Sequence, residues 1–295
     1  MNLALSETYV PGMVSVVIPT FNRAQFIRES IDSALGQDYP SFEVIVVDGG
    51  STDDTPQICK DYGDRIRYFW KPNPGPASGK NFGISKGLGE WFKFLDDDDI
   101  LESHALSTFV EWAEKTNARL LSCNFVYIDA KGEVVREWQP RKQADFIRAL
   151  WSGHDARRIF VHRSLILRIG LMDEELRIGD DGEWLLRAML IYGYHDTHIP
   201  KILYRYRRHA GQITRSKDAN VRVWEGRVRT LTKHRFASTV EMSPSLREHW
   251  LQQTRMLRRI YLPVILLLRL LAGLPFTGLP LTGRPDSGHG RLPPP

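Results

Sequence analysis

Short apolar runs alternate with segments of helical spacing through the first hundred residues, and this alternation constrains the fold more than any other feature. The runs are VSVVI (14–18), EVIVV (43–47), RIRYFW (65–70) and EWFKFL (90–95). Their β-branched and aromatic residues favour strands, while the segments between them favour helices, one of which begins at about Pro76. Strands that are apolar on both faces are typical of a mostly parallel sheet flanked by helices, so an α/β fold is predicted.

Three of these strands end at residues that could contact a ligand. Pro19, Thr20 and Phe21 follow the first, Asp48 follows the second, and Asp96–Asp99 follow the fourth. The carboxyl ends of parallel strands lie at one edge of the sheet, and ligands bind there. These residues are therefore expected to converge, although they are far apart in sequence.

The run Asp96–Asp99 places four carboxylates side by side directly after an apolar strand. A hard divalent cation such as Mn²⁺ or Mg²⁺ takes oxygen ligands and keeps positions open for substrate phosphates. Such a cation would stabilise a diphosphate leaving group. A solvated turn is the alternative, and the run by itself does not decide between the two.

Asp48 also admits two interpretations. It opens the stretch DGGSTDDT, in which Gly49 and Gly50 permit a tight turn. Its carboxylate would accept hydrogen bonds from a ribose or a base edge, or it would cap the helix that follows. The residues alone leave both open.

Beyond residue 103 the order of elements becomes mixed. Helices are predicted at HALSTFVEWAEKT, FIRALWSG and GDDGEWLLRAMLIYGY. A strand pair is predicted at RLLSCNFVYID and GEVVREW, around the turn AKG. A strand followed by a short helix is predicted at RIFVHRSLILRIG, and one or two strands are predicted at DTHIPKILYRYRRH. Residues from about 216 to 270 favour helix.

Composition excludes several classes of protein. The chain has 295 residues, of which 42% are hydrophobic and 25% charged, as is ordinary for a globular protein. Cys59 and Cys123 have neither metal-binding nor redox spacing, which suits a reducing compartment and argues against a disulfide scaffold. The first residues contain neither a basic segment nor a long apolar run, so no signal peptide is predicted.

Charge is distributed unevenly along the chain. Residues 1–200 contain 22 Lys and Arg against 30 Asp and Glu, whereas residues 201–295 contain 18 against 5. A basic region confined to the last third is not a uniform nucleic-acid-binding surface, so no nucleic acid is expected as a partner. It indicates instead that this region faces something anionic.

The apolar stretch 260–281 leaves three interpretations open. IYLPVILLLRLLAGLPFTGLPL approaches the length of a membrane span, about 20 residues, but prolines and an arginine interrupt it. Arginines directly before it favour an interfacial anchor on an anionic membrane. A buried C-terminal helix is the main alternative, and a true span is the other. Residues 284–295 are expected to be disordered.

Three segments taken together resemble the family 2 glycosyltransferases, which have the GT-A fold. They are VSVVIPTFNRAQFIRESIDSALGQDYPSFEVIVVDGGSTDDT, GPASGKNFGISKGLGEWFKFLDDDD and GDDGEWLLR. The resemblance extends from residue 14 to about 215 and implies a Rossmann-like GT-A domain over 1–215. The predicted organisation adds a helical, basic, membrane-associating extension over 216–283 and the disordered tail.

The resemblance implies which residues bind a nucleotide-sugar donor. Pro19, Thr20, Phe21 and Asn22 match a Pro-x-(Tyr/Phe)-Asn motif near the nucleotide. The aspartate after the second strand binds the base in this family, and here it is Asp48. The usual Asp-Asp-Gly-Ser becomes DGGS, which leaves the identity of the base undefined.

An Asp-x-Asp motif and a glycine-rich segment extend the implied donor site. The motif matches Asp96-Asp97-Asp98, which places Asp96 on the ribose or metal and Asp98 on the metal, while Asp99 matches a common extra carboxylate. In the glycine-rich segment, Asn81 matches a polar residue that lines the donor site, and Lys80 would reach phosphate.

The general base of the family comes from a Glu-Asp pair at the start of a later helix. Here the pair is Asp180-Asp181, which implies that Asp181 is the base; capping of the helix is the alternative role. His209 matches a histidine that approaches the metal or diphosphate in several relatives. Trp184 would stack on an acceptor sugar, although packing in the core is favoured.

The resemblance implies metal-dependent, inverting transfer of a sugar from a nucleotide-diphosphate sugar to a hydroxyl of a glycan or lipid-linked acceptor. The expected setting is cell-surface polysaccharide or glycoconjugate synthesis, by a protein peripheral to the cytoplasmic face of the cell membrane. The Gln-x-x-Arg-Trp signature of processive synthases is not found, so addition of one or a few sugars is expected. Two alternatives from other classes are a Mg²⁺-dependent phosphoryl-transfer enzyme and a non-catalytic nucleotide-sugar or glycan-binding module.

Overall fold

The computed structural model describes residues 8–72, 75–138, 159–190 and 196–212. Its strands are β1 (Val10–Thr20), β2 (Phe42–Asp48), β3 (Arg67–Trp70), β4 (Gly89–Phe94), β5 (Ile100–Leu101), β6 (Leu120–Ile128), β7 (Val134–Trp138), β8 (Phe160–His162) and β9 (Thr197–Arg207). Its α-helices are α1 (Ile27–Leu35), α2 (Thr55–Lys60), α3 (Pro76–Lys86), α4 (Ala105–Thr116), α5 (Arg163–Ile169) and α6 (Asp180–Leu190). The predicted helix at FIRALWSG, the extension over 216–283 and the tail lie outside the described residues.

The strands form one mixed sheet in the order β3-β2-β1-β4-β8-β6-β9-β5, and β7 pairs with β6. The first four strands pair in parallel, as the sequence predicts. The second half is mixed: β8 is antiparallel to β4 and β6, whereas β9 runs parallel to β6. The strand pair predicted around AKG is the antiparallel β6–β7 hairpin.

Apolar cores cover both faces of the sheet, which explains why β1 is apolar without alternation. Val14, Val16 and Ile18 pack in one cluster with residues of α1 and α4. Val17 faces the other way and packs in a second cluster with residues of α3, α5 and α6. Successive side chains of a strand point to opposite faces, so a strand between two helical layers is apolar at every position.

Two glycines allow α3 to lie directly on β1. A Cβ atom at Gly79 would lie 2.7 Å from Cβ of Pro19, and one at Gly83 would lie 2.3 Å from Cγ1 of Val17. Any larger residue would push the helix away from the strand. This close contact places Lys80 of the helix beside the carboxyl end of β1.

Within the described ranges, no helix has both the length and the apolarity that crossing a bilayer requires. The apolar stretch 260–281 is outside those ranges, so its three interpretations stay open.

Candidate active site

The carboxyl ends of β1, β2 and β4 bring distant polar residues to one edge of the sheet. Thr20 at the end of β1 lies in register with Asp48 at the end of β2. The backbone N–H of Phe21 donates to Oδ2 of Asp97 at 3.2 Å, which joins the β1 end to the acidic run after β4. The convergence predicted for these strand ends is therefore present in the structure.

The acidic run forms a compact carboxylate cluster. Asp96, Asp98 and Asp99 each offer a carboxylate oxygen, and these oxygens lie within 4.8 Å of one another. Clustered carboxylate oxygens suit a hard divalent cation, so these residues fit the metal that the family resemblance implies. Asp98 is 8% exposed and Asp99 is fully buried.

Asp99 is also used to hold the loop. Its Oδ1 accepts the backbone N–H of Arg207 at 2.7 Å, and its Oδ2 accepts the hydroxyl of Tyr204 at the same distance. Its backbone carbonyl accepts the hydroxyl of Ser30. These bonds connect Asp99 to β9 and α1, so it supports the acidic run whether or not it also contacts a metal.

Asp97 contacts the residues that follow β1. Besides the amide of Phe21, its carboxylate faces the guanidinium of Arg23, with Nε and Oδ1 separated by 3.5 Å. Burial and the neighbouring Asp98 raise the pKa of Asp97 to about 8, while Arg23 opposes this rise. Asp97 thus links the loop after β1 to the acidic run.

His209 lies directly beside Asp98. Its Nε2 is 2.9 Å from Oδ2 of Asp98, and its Nδ1 accepts the backbone N–H of Gly211 at 3.2 Å. The imidazole packs against the ring of Phe26, with the two centroids 4.6 Å apart. Two of the residues predicted to bind metal are therefore neighbours, although they are far apart in sequence.

Asp48 is fully buried and its carboxylate organises the turn after β2. Oδ1 accepts the backbone N–H groups of Gly50 and Ser51 at 3.0 and 2.7 Å, and Oδ2 accepts the hydroxyl of Tyr68 at 2.8 Å. Gly50 needs its glycine because its φ is +99°. The structure thus shows a turn-forming role for Asp48, and its contact with a base stays a prediction.

Asn22 joins the loops that follow β1 and β2. Its side-chain Oδ1 accepts the backbone N–H of Thr52 at 2.8 Å. Its backbone N–H donates to Oγ of Ser51, also at 2.8 Å. Phe21 beside it is 54% exposed, so its ring is available at this edge for a flat ligand. Thr20 is buried and Pro19 lies beneath Gly79.

Asn81, predicted to line the donor site, is buried and holds the segment before α6. Its Nδ2 donates to the carbonyl of Met172 at 2.9 Å and to Oε1 of Glu174 at 3.0 Å, while its Oδ1 accepts the amide of Met172. These bonds fix α3 to residues 172–174. A donor contact from Asn81 stays a prediction.

Lys80 connects the acidic run to the start of α6. Its Nζ lies 3.1 Å from Oδ2 of Asp180, and both side chains are buried. Burial lowers the pKa of Lys80, but the carboxylates of Asp180, Asp96 and Asp181 outweigh it and raise that pKa above its usual value. The lysine therefore stays charged and couples the two acidic groups at one site.

Asp181 stands half-buried in the first turn of α6. Its Oδ1 accepts the backbone N–H of Gly182 at 2.7 Å. An acidic side chain at a helix N-terminus is stabilised by the helix dipole, so this contact is consistent with capping and does not conflict with a role as base.

Trp184 belongs to the core. It is 2% exposed, packs in the cluster around Val17, and donates its indole N–H to the carbonyl of Gly170 at 2.8 Å. The favoured interpretation from the sequence is correct, and stacking on an acceptor sugar does not fit this burial.

Arg207 is a site residue that sequence reasoning did not single out. Its side chain is fully buried. Its Nε donates to the carbonyl of Asp98 at 2.8 Å, and its Nη2 lies 2.7 Å from Oε2 of Glu29. It also donates to the carbonyls of Asp129 and Ala130. The stretch YRYRRH shows several basic residues, but only the strand register reveals which one points inward.

The sequence also matches a known protein family. Residues 15–170 match the model described as "Glycosyl transferase family 2", and the chain belongs to that family. The identification made from the three sequence segments is confirmed.

Two relatives show how far the similarity extends. An uncharacterised glycosyltransferase of Rickettsia typhi is 32% identical over 243 residues, which are 77% of this chain and 74% of the relative. The GalNAc(5)-diNAcBac-PP-undecaprenol beta-1,3-glucosyltransferase of Campylobacter jejuni is 36% identical over 154 residues, which are 48% of this chain and 49% of the relative.

Solved structures share the fold. TarS 1–349 of S. aureus in complex with UDP-GlcNAc has a TM-score of 0.65 and 20% identity, with 85% of this chain and 75% of that chain covered. The mannosyltransferase PcManGT from Pyrobaculum calidifontis, in complex with GDP-Man and Mn²⁺, has a TM-score of 0.59 and 22% identity, with 92% and 78% covered. These similarities confirm the predicted GT-A fold.

Proposed function

We propose that this glycosyltransferase moves a sugar, with inversion, from a nucleotide-diphosphate sugar to a hydroxyl of a glycan or lipid-linked acceptor. The observation that carries the proposal is the position of Lys80, paired with Asp180 and close enough to Asp96 and Asp181 for all three carboxylates to raise its pKa. This arrangement supports a site in which the proposed metal ligands and the proposed base act together.

A divalent cation fits the acidic cluster. Asp98, Asp96 and His209 would hold Mn²⁺ or Mg²⁺, and the bound cation would offset the negative charge of the leaving diphosphate. The oxygen atoms of Asp96, Asp98 and Asp99 within 4.8 Å support this, as does the adjacent imidazole. PcManGT, which shares the fold, is in complex with Mn²⁺.

Asp181 is proposed as the general base. Its carboxylate takes the proton of the acceptor hydroxyl as the oxygen attacks the anomeric carbon. The bond from that carbon to the diphosphate oxygen breaks on the opposite side, and the nucleoside diphosphate leaves. One carbon–oxygen bond forms and one breaks in this single displacement, and attack from the face opposite the leaving group inverts the configuration.

Replacement of Asp181 by Asn tests this role. The amide keeps the shape and the helix contact but accepts no proton, so the turnover rate is expected to fall at least about 100-fold. Donor affinity, measured by calorimetry with Mn²⁺, is expected to stay within about twofold. Asp64→Asn, a change of the same kind at an exposed carboxylate, serves as the control. Undiminished turnover in Asp181→Asn would remove Asp181 from the mechanism.

The acceptor is proposed to be carried by the membrane. Residues 201–295 contain 18 basic against 5 acidic residues, and the name of the C. jejuni relative includes a PP-undecaprenol group. A basic, apolar region would hold the protein at the anionic cytoplasmic face of a bilayer, where cell-surface glycans are built on lipid carriers.

Truncation tests the membrane association. A chain ending after residue 240 lacks the apolar stretch 260–281 and is expected to leave the membrane fraction. The comparison uses sedimentation with vesicles that contain anionic lipid and with vesicles that lack it, because anionic lipid attracts basic segments. Equal sedimentation of the full and truncated chains would contradict the proposal.

A further inference from the structure

The hydroxyl of Tyr204 bonds both ends of the acidic run. It accepts the backbone N–H of Asp96 at 3.3 Å and donates to Oδ2 of Asp99 at 2.7 Å. Asp96 is the first residue of the run and Asp99 is the last. One oxygen atom on β9 thus spans the loop that offers the metal ligands.

The ring that carries this hydroxyl is firmly held. Tyr204 is 1% exposed, and Nζ of Lys93 lies 4.8 Å from its ring centroid, as in a cation–π contact. Lys93 belongs to β4, the strand that leads into the run. Leu101 of β5, the strand that leaves the run, is in register with Tyr204. The strands on either side of the loop therefore meet at this tyrosine.

Packing alone does not account for the hydroxyl. Burial of a hydroxyl group without a hydrogen-bond partner costs free energy. Phenylalanine would fill the same space without that cost, so packing alone does not require the oxygen. At Tyr204 the oxygen fixes the distance between the amide of Asp96 and the carboxylate of Asp99. Asp98 lies between them.

We infer that Tyr204 is a positioning residue for the metal-binding loop. Its two hydrogen bonds set the separation of Asp96 and Asp99, and so the shape of the loop that carries Asp98, without contact with the cation or the donor. The inference rests on the proposed function, because the loop is taken as the metal site. The tyrosine raises the affinity of the loop for the cation, because it reduces the rearrangement of the loop that cation binding would otherwise require.

Replacement of Tyr204 by Phe tests the inference because it deletes only the oxygen. Loss of a hydrogen bond to a charged group is expected to weaken Mn²⁺ binding by the full chain about tenfold, as measured by electron paramagnetic resonance of free Mn²⁺. Turnover is expected to recover when Mn²⁺ is raised tenfold, a recovery that a general loss of folding would not show.

A matched control is available in Tyr62→Phe. The hydroxyl of Tyr62 also donates to a carboxylate, Oδ1 of Asp32, at 2.7 Å, and the residue is 4% exposed. Its hydroxyl also contacts the carbonyl of Arg28, so both of these partners belong to α1 and neither to the acidic run. This variant is expected to lose stability comparable to that lost by Tyr204→Phe and to keep the Mn²⁺ affinity of the unmodified chain.

The outcomes separate this inference from the proposed function. Mn²⁺ binding that Asp98→Ala abolishes would establish the loop as the metal site; then unchanged affinity in Tyr204→Phe, or an equal loss in Tyr62→Phe, would overturn the role of Tyr204 alone. Absence of Mn²⁺ binding by the unmodified chain would overturn both. If Tyr204→Phe folds poorly, its Mn²⁺ affinity is referred to the folded fraction measured by circular dichroism, and unchanged affinity of the folded molecules would also overturn the inference.

Discussion

At the scale of single residues, buried titratable groups lie near the strand ends beside charged or hydrogen-bonding neighbours. Lys80 stays charged because Asp180 faces it, and Asp48 accepts three hydrogen bonds. Cys59 on α2 is fully buried nearby. Burial and the negative charges of Asp48, Asp97 and Asp53 raise the pKa of its thiol to about 12 from 9.0.

This pKa predicts a thiol that does not react in the folded protein. At pH 8 the Cys59 side chain is neutral, and thiolate is the reactive form. The neutral thiol's contribution to stability is present below pH 9.0 and is lost as pH rises through about 12. With Ellman's reagent at pH 8, neither Cys59 nor the buried Cys123 is expected to react until denaturant is added. Rapid reaction of one thiol in the native protein would contradict this.

At the scale of elements, the contact between α3 and β1 decides where the site residues lie. The segment GPASGKNFGISKG is rich in glycine, which disfavours a helix, yet the helix begins at Pro76 as predicted. The glycines are used for close approach to Pro19 and Val17. The sequence could predict the helix, but not which of its faces would contact the strand.

Substitution of Gly83 by Ala tests this contact. Helix propensity alone would stabilise the variant by about 1 kcal/mol. The added Cβ would lie 2.3 Å from Cγ1 of Val17, so overpacking is expected to dominate and to destabilise the protein by about 1–3 kcal/mol in urea denaturation. Val17→Ala makes room, so the double variant should lose less than the sum of the two single variants. Strict additivity would show that the two residues do not press on each other.

At the scale of the whole molecule, the strand–helix alternation was sufficient to predict an α/β fold and the convergence of strand ends. The positions of Asp48 and Asp97 at one edge follow from parallel pairing, which local patterns report well. Lys80 lies on α3, and its placement beside Asp180 does not follow from strand pairing. The proposal that Asp181 is the base depends on the family resemblance, because a helix cap has the same local signature.

The roles of Tyr204 and Arg207 could not be predicted from the sequence. Both belong to β9, more than a hundred residues after the acidic run, and they reach it only because β9 pairs with β5 and β6. Sequence alternation does not specify this pairing. The hydrogen bond from the hydroxyl of Tyr68 to the carboxylate of Asp48 likewise depends on the register of β2 and β3.

Anomalous diffraction at the manganese edge tests the central claim most directly, using crystals of the full chain grown with Mn²⁺ and with UDP or GDP in separate experiments. The account predicts one manganese peak bonded to a carboxylate oxygen of Asp98, with the diphosphate on the same cation and Asp181 facing the open side of the site. Crystals of Asp98→Ala should lose the peak. Manganese and diphosphate bound away from residues 96–99, or a diphosphate that binds at those residues equally well without any cation, would contradict the account.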